Sequence, residues 1–186
     1  MSAAEPISVA FQGEPGAYSE EAAILCCGRN SLLLPRRSFA DVVNAVLKGG
    51  AAQGVLPLEN SLIGEVAAAN EAIAVDGVTV VKELTLPIHH CLLGIPGATI
   101  ESLTQVLSHP AALAQCTSFF DAYIHIEPLE WYDTAGAAKH VANTKLMTMG
   151  AIASRRAAER YKLKIIAEEI QDRMDNRTRF VVIARG

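Results

Sequence analysis

The sequence lacks the features that mark three large classes of protein. Its formal net charge is −4 and it contains no lysine-rich block, so the basic surface of a nucleic-acid-binding protein is not expected. No apolar run reaches the length that spans a membrane. The first residues, MSAAEPIS, contain neither the basic nor the apolar region of a secretory signal peptide. We therefore expect a cytoplasmic protein with no membrane or nucleic-acid partner.

Motifs for metals, disulfides and nucleotides are also missing. The segment LPIHHC brings His89 and Cys91 together, but no second group of ligands lies near it in sequence. Neither the glycine-rich dinucleotide fingerprint nor the phosphate-binding loop motif occurs. We predict no metal ion and no cofactor. No cysteine belongs to a CxxC pair, and we expect reduced thiols at Cys26, Cys27, Cys91 and Cys116.

Apolar segments of strand length alternate with segments of helical periodicity. The chain has 186 residues, 51% hydrophobic and 19% charged, which is enough for one large domain or two small lobes. The first half predicts strands at 7–11, 31–35 and 53–59 and helices at 19–27, 38–47 and 63–74. The second half predicts strands at 104–109, 124–132, 145–150, 164–170 and 179–185 and helices at 110–123, 134–142 and 151–161. This order predicts an α/β fold with mainly parallel sheets flanked by helices.

Residues 78–94 break the alternation. They form a long β-like stretch interrupted by Pro87, which predicts a strand that leaves one sheet and enters another. We predict a single domain, 1–186, with two lobes and a ligand-binding cleft between them. Lobe 1 covers about 1–84, with or without the C-terminal strand, and lobe 2 covers about 85–178.

Small polar residues and glycines recur where a predicted strand meets the next helix. Such residues cap helices in any α/β protein, so ordinary capping explains each junction taken alone. Four such junctions at carboxyl ends of strands also fit a small anionic ligand, because this edge binds ligands and helix N-termini attract anions. The junctions are the glycine turn before Ser19, Asn60 with Ser61, His109 with Pro110, and Asp133 with Thr134.

Seven segments in order resemble the catalytic domain of the prephenate dehydratase and arogenate dehydratase family. They are VAFQGEPGAYSEEAA, GVLPLENSLIGEV, LPIHHCLL, LSHPAALAQC, DTAGAA, GAIASRRAAERYKL and IQDRMDNRTRFVVIAR. The resemblance covers nearly the whole chain and includes the Thr-Arg-Phe triplet that marks the family. It implies a two-lobed fold of the type II periplasmic-binding-protein kind. Family members usually continue into an ACT domain that binds phenylalanine, whereas this sequence stops at Gly186.

The resemblance also implies an activity and its residues. The activity is decarboxylating dehydration of prephenate to phenylpyruvate, without a cofactor, or alternatively of arogenate to phenylalanine. A third reading is a small-anion binding module without chemistry, because the same fold serves both purposes. The family generally forms dimers or higher assemblies, which implies a homodimer. The implied site residues are Thr178, Arg179 and Phe180 of the triplet, with Tyr18, Glu59, Asn60, Ser61, Ser108, His109, Gln115 and Thr134.

Thr178 is the predicted donor to the hydroxide that leaves prephenate. A threonine hydroxyl is a poor acid, so the full proton is expected from His109 or from Glu59, although His109 could equally be a helix cap. On a regular strand Thr178 and Phe180 share one face, and Arg179 points the other way, towards an acid or a neighbouring loop. Only a bend or bulge would bring Arg179 to the substrate. We predict that Thr178→Ala lowers kcat far more than substrate binding.

Overall fold

The computed structural model describes residues 6–186 and shows eleven strands and seven helices within that range. The strands are β1 (Ser8–Gln12), β2 (Leu32–Arg36), β3 (Gln53–Asn60), β4 (Gly64–Glu65), β5 (Val78–Pro87), β6 (Cys91–Gly94), β7 (Gln105–Ser108), β8 (Glu127–Glu130), β9 (Met149–Ala153), β10 (Lys164–Ala167) and β11 (Arg177–Arg185). The helices are α1 (Tyr18–Cys27), α2 (Phe39–Leu47), α3 (Ala67–Ile73), α4 (Pro110–Leu113), α5 (Thr117–Ala122), α6 (Thr134–Thr144) and α7 (Arg155–Tyr161). A 3₁₀ turn covers Ile100–Ser102. Residues 1–5 lie outside the described residues. They include most of the MSAAEPIS segment, for which we predict no signal peptide.

The chain divides into two compact units. The first contains the residues up to Gly13, then 18–87, then 177–186. The second contains 14–17 and 88–176. The long β-like stretch is split as Pro87 predicts, because β5 ends there and β6 begins at Cys91 in the other unit. None of the helices within 6–186 combines the length and the apolar composition needed to cross a membrane.

The first unit is built on a sheet in the order β2-β1-β3-β11-β5, with β4 paired to β3. The β1 strand runs parallel to β2 and β3, whereas β11 runs antiparallel to β3 and β5. Alternate residues of β11 enter the core that this sheet forms with α2 and α3. That core includes Val42, Val46, Leu56, Val181 and Ile183.

The second unit is built on a sheet in the order β10-β6-β9-β7-β8. Its β7 strand is parallel to β8 and β9, and its β6 strand is antiparallel to β9 and β10. Two groups of buried residues cover this sheet. One packs α6 and α7 against Leu93 and Leu107, and the other packs α4 and α5 against Leu92 and Ile152.

The α/β class with two helix-flanked sheets is confirmed, but the prediction of mainly parallel sheets is wrong. Five of the nine strand pairings within the described range are antiparallel. Four of these pairings involve strands next to a passage between the units: β11 pairs with β3 and β5, and β6, which follows β5 into the second unit, pairs with β9 and β10. The fifth joins β3 to the short strand β4 that follows it. Short βαβ repeats predict only the parallel part of each sheet.

Three predicted helices are wrong in their bounds, and the strand predicted at 145–150 is found at Met149–Ala153. The helix predicted at 110–123 is broken, because the distant Asp172 carboxylate accepts the N–H groups of Thr117 (2.9 Å) and Ser118 (2.8 Å) and so starts α5 anew. The helix predicted at 63–74 begins as the strand β4 and becomes helical only at Ala67. The helix predicted at 151–161 starts at Arg155, because 151–153 belong to β9 in the centre of the second sheet.

Candidate active site

The triplet threonine is paired to the asparagine of a neighbouring strand. Asn60 Nδ2 donates a hydrogen bond to Thr178 Oγ1 at 2.9 Å, and the two residues lie opposite each other on β3 and β11. Both are nearly enclosed, with 7% and 8% of their surfaces exposed. Because the Thr178 oxygen accepts this bond, its own proton can be donated elsewhere. The structure therefore brings together two of the predicted site residues, and the donor role of Thr178 stays a prediction.

A bulge in β3 places the Asn60 side chain on the same face of the sheet as Thr178. Leu56 and Leu58 both belong to the buried core, so simple alternation would point Asn60 into that core as well. The register instead skips Leu58: Arg179 pairs with Glu59, whereas Phe180 pairs with Pro57. One extra residue on β3 reverses the direction of every side chain that follows it. The bulge therefore places the Asn60 amide on the Thr178 face of the sheet.

The loop after Asn60 is held from both sides. Asn60 Oδ1 accepts the backbone N–H groups of Leu62 (2.9 Å) and Ile63 (3.2 Å), which fixes the orientation of its amide. Ser61 exchanges two bonds with Arg177: its N–H donates to the Arg177 carbonyl, and its Oγ accepts the Arg177 N–H, each at 2.9 Å. Ser61 thus anchors the loop to the start of β11.

Arg179 forms ion pairs on the opposite face of β11 from Thr178. Its Nε lies 3.3 Å from Glu59 Oε2, and its Nη1 lies 3.7 Å from Glu83 Oε2. The pairing of β11 with β5 is regular from Arg177 to Val182, so no irregularity in β11 turns Arg179 towards Thr178. A bulge at Arg179 would have been needed to turn this side chain to the Thr178 face, but the extra residue lies on β3, at Leu58. Phe180, on the Thr178 face, is 2% exposed.

In the second unit, Ser108 and His109 make local structural bonds. Ser108 is fully buried, and its Oγ donates to the Ile152 carbonyl at 2.6 Å, so it ties β7 to β9. His109 is the N-cap of α4, and its Nδ1 accepts the Ala111 N–H at 3.2 Å. The observed contact of His109 is therefore that of a helix cap. A neutral ring in this arrangement carries its proton on Nε2.

Gln115 is the centre of a network of buried amides. Its Oε1 lies 2.8 Å from His90 Nε2 and accepts a bond from Asn176 Nδ2, also at 2.8 Å. Gln171 Oε1 accepts the backbone N–H of His90 at 2.8 Å. Burial lowers the pKa of His90, which favours the neutral imidazole. Sequence reasoning missed His90, Asn176 and Gln171, although each lies within a segment that it quoted.

The other two junctions hold Thr134 and Tyr18 at helix starts. Thr134 is the first residue of α6, and Asp133 caps that helix by accepting the Gly136 N–H at 2.8 Å. Burial raises the pKa of Asp133, and its backbone hydrogen bonds oppose the increase. Tyr18 is the half-buried first residue of α1. Within 6–186 no group of three or more His, Cys, Asp or Glu residues is arranged to hold a metal ion.

The comparisons with known proteins identify the family. The family model described as prephenate dehydratase matches residues 9–186. The chain belongs to the prephenate dehydratase family. Similarity to a curated relative agrees: the chain is 44% identical over 183 residues to arogenate dehydratase 1 of Petunia hybrida, which covers 96% of this chain and 42% of the relative. The chain thus spans less than half the length of that family member.

Two solved structures show the same fold. The prephenate dehydratase of Arthrobacter aurescens, solved in complex with L-Phe, superposes with a TM-score of 0.90 at 26% identity, over 97% of this chain and 61% of that one. GqqA, described as a novel type of quorum quenching acylase, superposes with a TM-score of 0.87 at 36% identity, over 96% and 64%. Membership of the prephenate dehydratase family is established, whereas the predicted cleft, homodimer and cytoplasmic location stay predictions.

Proposed function

We propose that the chain catalyses the decarboxylating dehydration of prephenate to phenylpyruvate. The observation that carries the proposal is the Asn60–Thr178 hydrogen bond, which presents a nearly enclosed threonine hydroxyl as a donor in a member of the prephenate dehydratase family. The geometry supports the predicted role of Thr178 and gives Asn60 a definite part in it.

The reaction needs a hydrogen-bond donor at the leaving oxygen. The prephenate dianion loses CO2 and hydroxide, and the electrons of the breaking carbon–carboxylate bond complete the aromatic ring of the phenylpyruvate anion. The Thr178 hydroxyl donates to the departing oxygen while Asn60 Nδ2 donates to Oγ1, which makes the hydroxyl a stronger donor. The departing hydroxide is neutralised by a proton from the buffered solvent, so the products are the phenylpyruvate anion, CO2 and water. No redox step and no electron acceptor are needed.

The two other predicted proton donors are engaged elsewhere. Glu59 accepts a bond from Arg179, on the face of β11 opposite Thr178. His109 Nδ1 accepts the Ala111 N–H, and a ring protonated on both nitrogens would lose that bond. We therefore assign hydrogen-bond donation to Thr178. We assign structural roles to the other two residues: Glu59 pairs with Arg179, and His109 caps α4.

The choice between prephenate and arogenate rests on which groups could meet a keto or an ammonium group. Arogenate carries an ammonium, which needs a carboxylate or several acceptors. Glu59 is paired with Arg179, and Asp133 accepts the Gly136 N–H. Gln115 Nε2 and the Thr178 hydroxyl remain as donors, which favours the keto acid. Arogenate is the second candidate, because the Petunia hybrida relative is named arogenate dehydratase.

The decisive experiment measures kcat/KM for both substrates with the same purified protein. Phenylpyruvate is followed by its absorbance in alkali, and phenylalanine is followed by chromatography. We expect turnover of both to depend on Thr178 and kcat/KM to be higher for prephenate. A higher value for arogenate would overturn the choice of substrate. Saturable binding of prephenate without either product would instead support a binding module.

A further inference from the structure

A buried imidazole and a buried amide both contact the Gln115 side chain. Two groups converge on Gln115 Oε1, namely His90 Nε2 and Asn176 Nδ2, each at 2.8 Å. His90 and Asn176 are 3% and 1% exposed, so water cannot readily replace either bond. Gln171 in turn accepts the His90 backbone N–H at 2.8 Å and is 6% exposed. All four residues belong to the second unit.

The orientation of the Asn176 amide decides the arrangement of protons in this network. Asn176 Nδ2 is a donor, so the Gln115 atom that it meets must be the carbonyl oxygen. The same oxygen can bond His90 Nε2 only if that nitrogen carries the imidazole proton. Rotating the Gln115 amide alone by half a turn would place its NH2 group against the Asn176 N–H donor, whichever tautomer His90 adopts. That arrangement leaves buried donors unsatisfied, which is costly.

The outward end of Gln115 is thereby left as a donor. Gln115 is half-buried, its Nε2 makes no hydrogen bond with the part of the chain that the structure describes, and Nε2 is not among the enclosed polar atoms without a partner. The amide NH2 therefore reaches solvent. A group that meets it must be a hydrogen-bond acceptor, such as a carboxylate or a keto oxygen.

We propose that His90 is a positioning residue that, together with Asn176, locks the Gln115 amide so that it presents only N–H donors to an anionic or keto group of the ligand. This inference deepens the proposed function and rests on it, because it takes Gln115 as a ligand contact. The lock selects against an ammonium at that position, since two N–H donors cannot pair with a cationic donor. His90 acts through Gln115 and touches no reacting atom.

A double-mutant cycle in kcat/KM for prephenate tests the proposal. We expect His90→Phe to lower kcat/KM by about tenfold to 100-fold, because it releases a ligand contact from its fixed orientation. In a Gln115→Ala background the same substitution has no amide to release, and we expect an effect below about twofold. His90→Gln is the matched rescue variant, since its Nε2 can donate at the same place, and we expect it to recover most of the activity. Equal losses from His90→Phe in both backgrounds would overturn the positioning role.

A second measurement does not depend on turnover. Nitrogen-15 NMR of the wild-type imidazoles reports which ring nitrogen carries the proton. We expect His90 to be neutral with its proton on Nε2, and a proton on Nδ1 would overturn the proposal. Should the wild type convert neither prephenate nor arogenate, the proposed function fails by itself. The tautomer, and the same cycle read on the Kd for prephenate, then decide the positioning role separately.

Discussion

At the scale of single residues, the site depends on which lone pairs and protons are already in use. Asn60 illustrates this, because its Oδ1 accepts two backbone N–H groups and its Nδ2 is thereby turned to Thr178. Ser108 illustrates the opposite outcome, because its only proton is donated to the Ile152 carbonyl. The hydroxyl groups of Thr178 and Ser108 thus differ: Thr178 accepts a hydrogen bond and keeps its proton for a ligand, whereas Ser108 has already donated its proton.

The Thr178 hydroxyl can be tested with two matched substitutions. Thr178→Val keeps the shape of the side chain but removes the donor, and we expect kcat to fall by about 10²-fold with KM changed little. Thr178→Ser keeps the hydroxyl, and we expect its kcat to stay within about tenfold of the wild type. Steady-state kinetics on prephenate measure both. Near-normal kcat in Thr178→Val would remove Thr178 from the mechanism.

Arg179 is expected to matter less than its place in the triplet implies. Its partners Glu59 and Glu83 are both more than half exposed, and such pairs contribute about 0–1 kcal/mol. Arg179→Met should therefore lower the free energy of unfolding by less than about 1 kcal/mol, as measured with urea. We also expect kcat/KM to change by less than about fivefold, because the guanidinium lies on the face opposite Thr178. A 100-fold loss of activity would show that Arg179 binds substrate, as the family resemblance implies.

At the scale of elements, sequence periodicity predicted the strands and helices whose formation depends on residues close together in sequence. The order from β1 to β3 in the first unit followed from apolar runs and capping residues, and Ser38 does cap α2. The β3 bulge and the break before α5 could not be predicted in this way. The bulge at Leu58 depends on pairing with β11, and α5 is capped by Asp172, 55 residues from Thr117 in sequence. Long-range partners decide these features, and a local pattern contains no information on them.

The glycine turn is an element whose sequence has a packing reason. Gly16 has φ +96°, and a Cβ there would lie 2.9 Å from Ala157 Cα, so the turn approaches α7 too closely for any side chain. Ser154 Oγ and Tyr161 Oη donate to the carbonyls of Gly16 (2.7 Å) and Pro15 (2.6 Å) and hold the turn there. The absence of a side chain at Gly16 therefore lets the turn pack against α7 within the second unit.

Gly16→Ala can be compared with Gly28→Ala, which shares the backbone strain but lacks the contact. Gly28 has φ +97° with nothing within 4 Å of the added Cβ. We expect Gly28→Ala to cost about 1–2 kcal/mol and Gly16→Ala to cost about 1–3 kcal/mol more. Chemical denaturation of both variants measures the difference. Equal costs would show that the turn moves away from α7 without loss.

At the scale of the whole molecule, each unit brings together segments that are far apart in sequence. The first unit needs β11 from the end of the chain, and the second needs residues 14–17 from its beginning. The chain passes between the units four times, at 13–14, 17–18, 87–88 and 176–177. Asn176 and Arg177 are the consecutive residues on either side of the last passage. The Gln115 network in one unit and the Thr178 pair in the other are therefore separated by a single residue, Arg177, along the chain.

The stability of the whole protein should fall as the pH is lowered from 7.5 to 5, because of His90. Its pKa is lowered in the folded state by burial, with His89 adding to the decrease and the bond to Gln115 opposing it. Below an unfolded pKa of about 6.5 the unfolded chain binds a proton that the folded imidazole does not, so protons favour unfolding. The expected slope reaches at most about 1.4 kcal/mol per pH unit for this one proton.

His90→Gln isolates that contribution from those of the other titrating groups. The variant keeps a donor for Gln115 but cannot titrate, so the difference between the two unfolding free energies, measured with urea at each pH, belongs to the imidazole. Asp133, whose pKa is raised by burial, acts in the opposite direction at the acid end of the range, and it cancels because both proteins contain it. We expect the wild type to lose stability relative to the variant as the pH falls through 6.5. A constant difference across this range would mean that the imidazole accepts a proton as readily in the folded as in the unfolded chain, and that the buried network tolerates a charge.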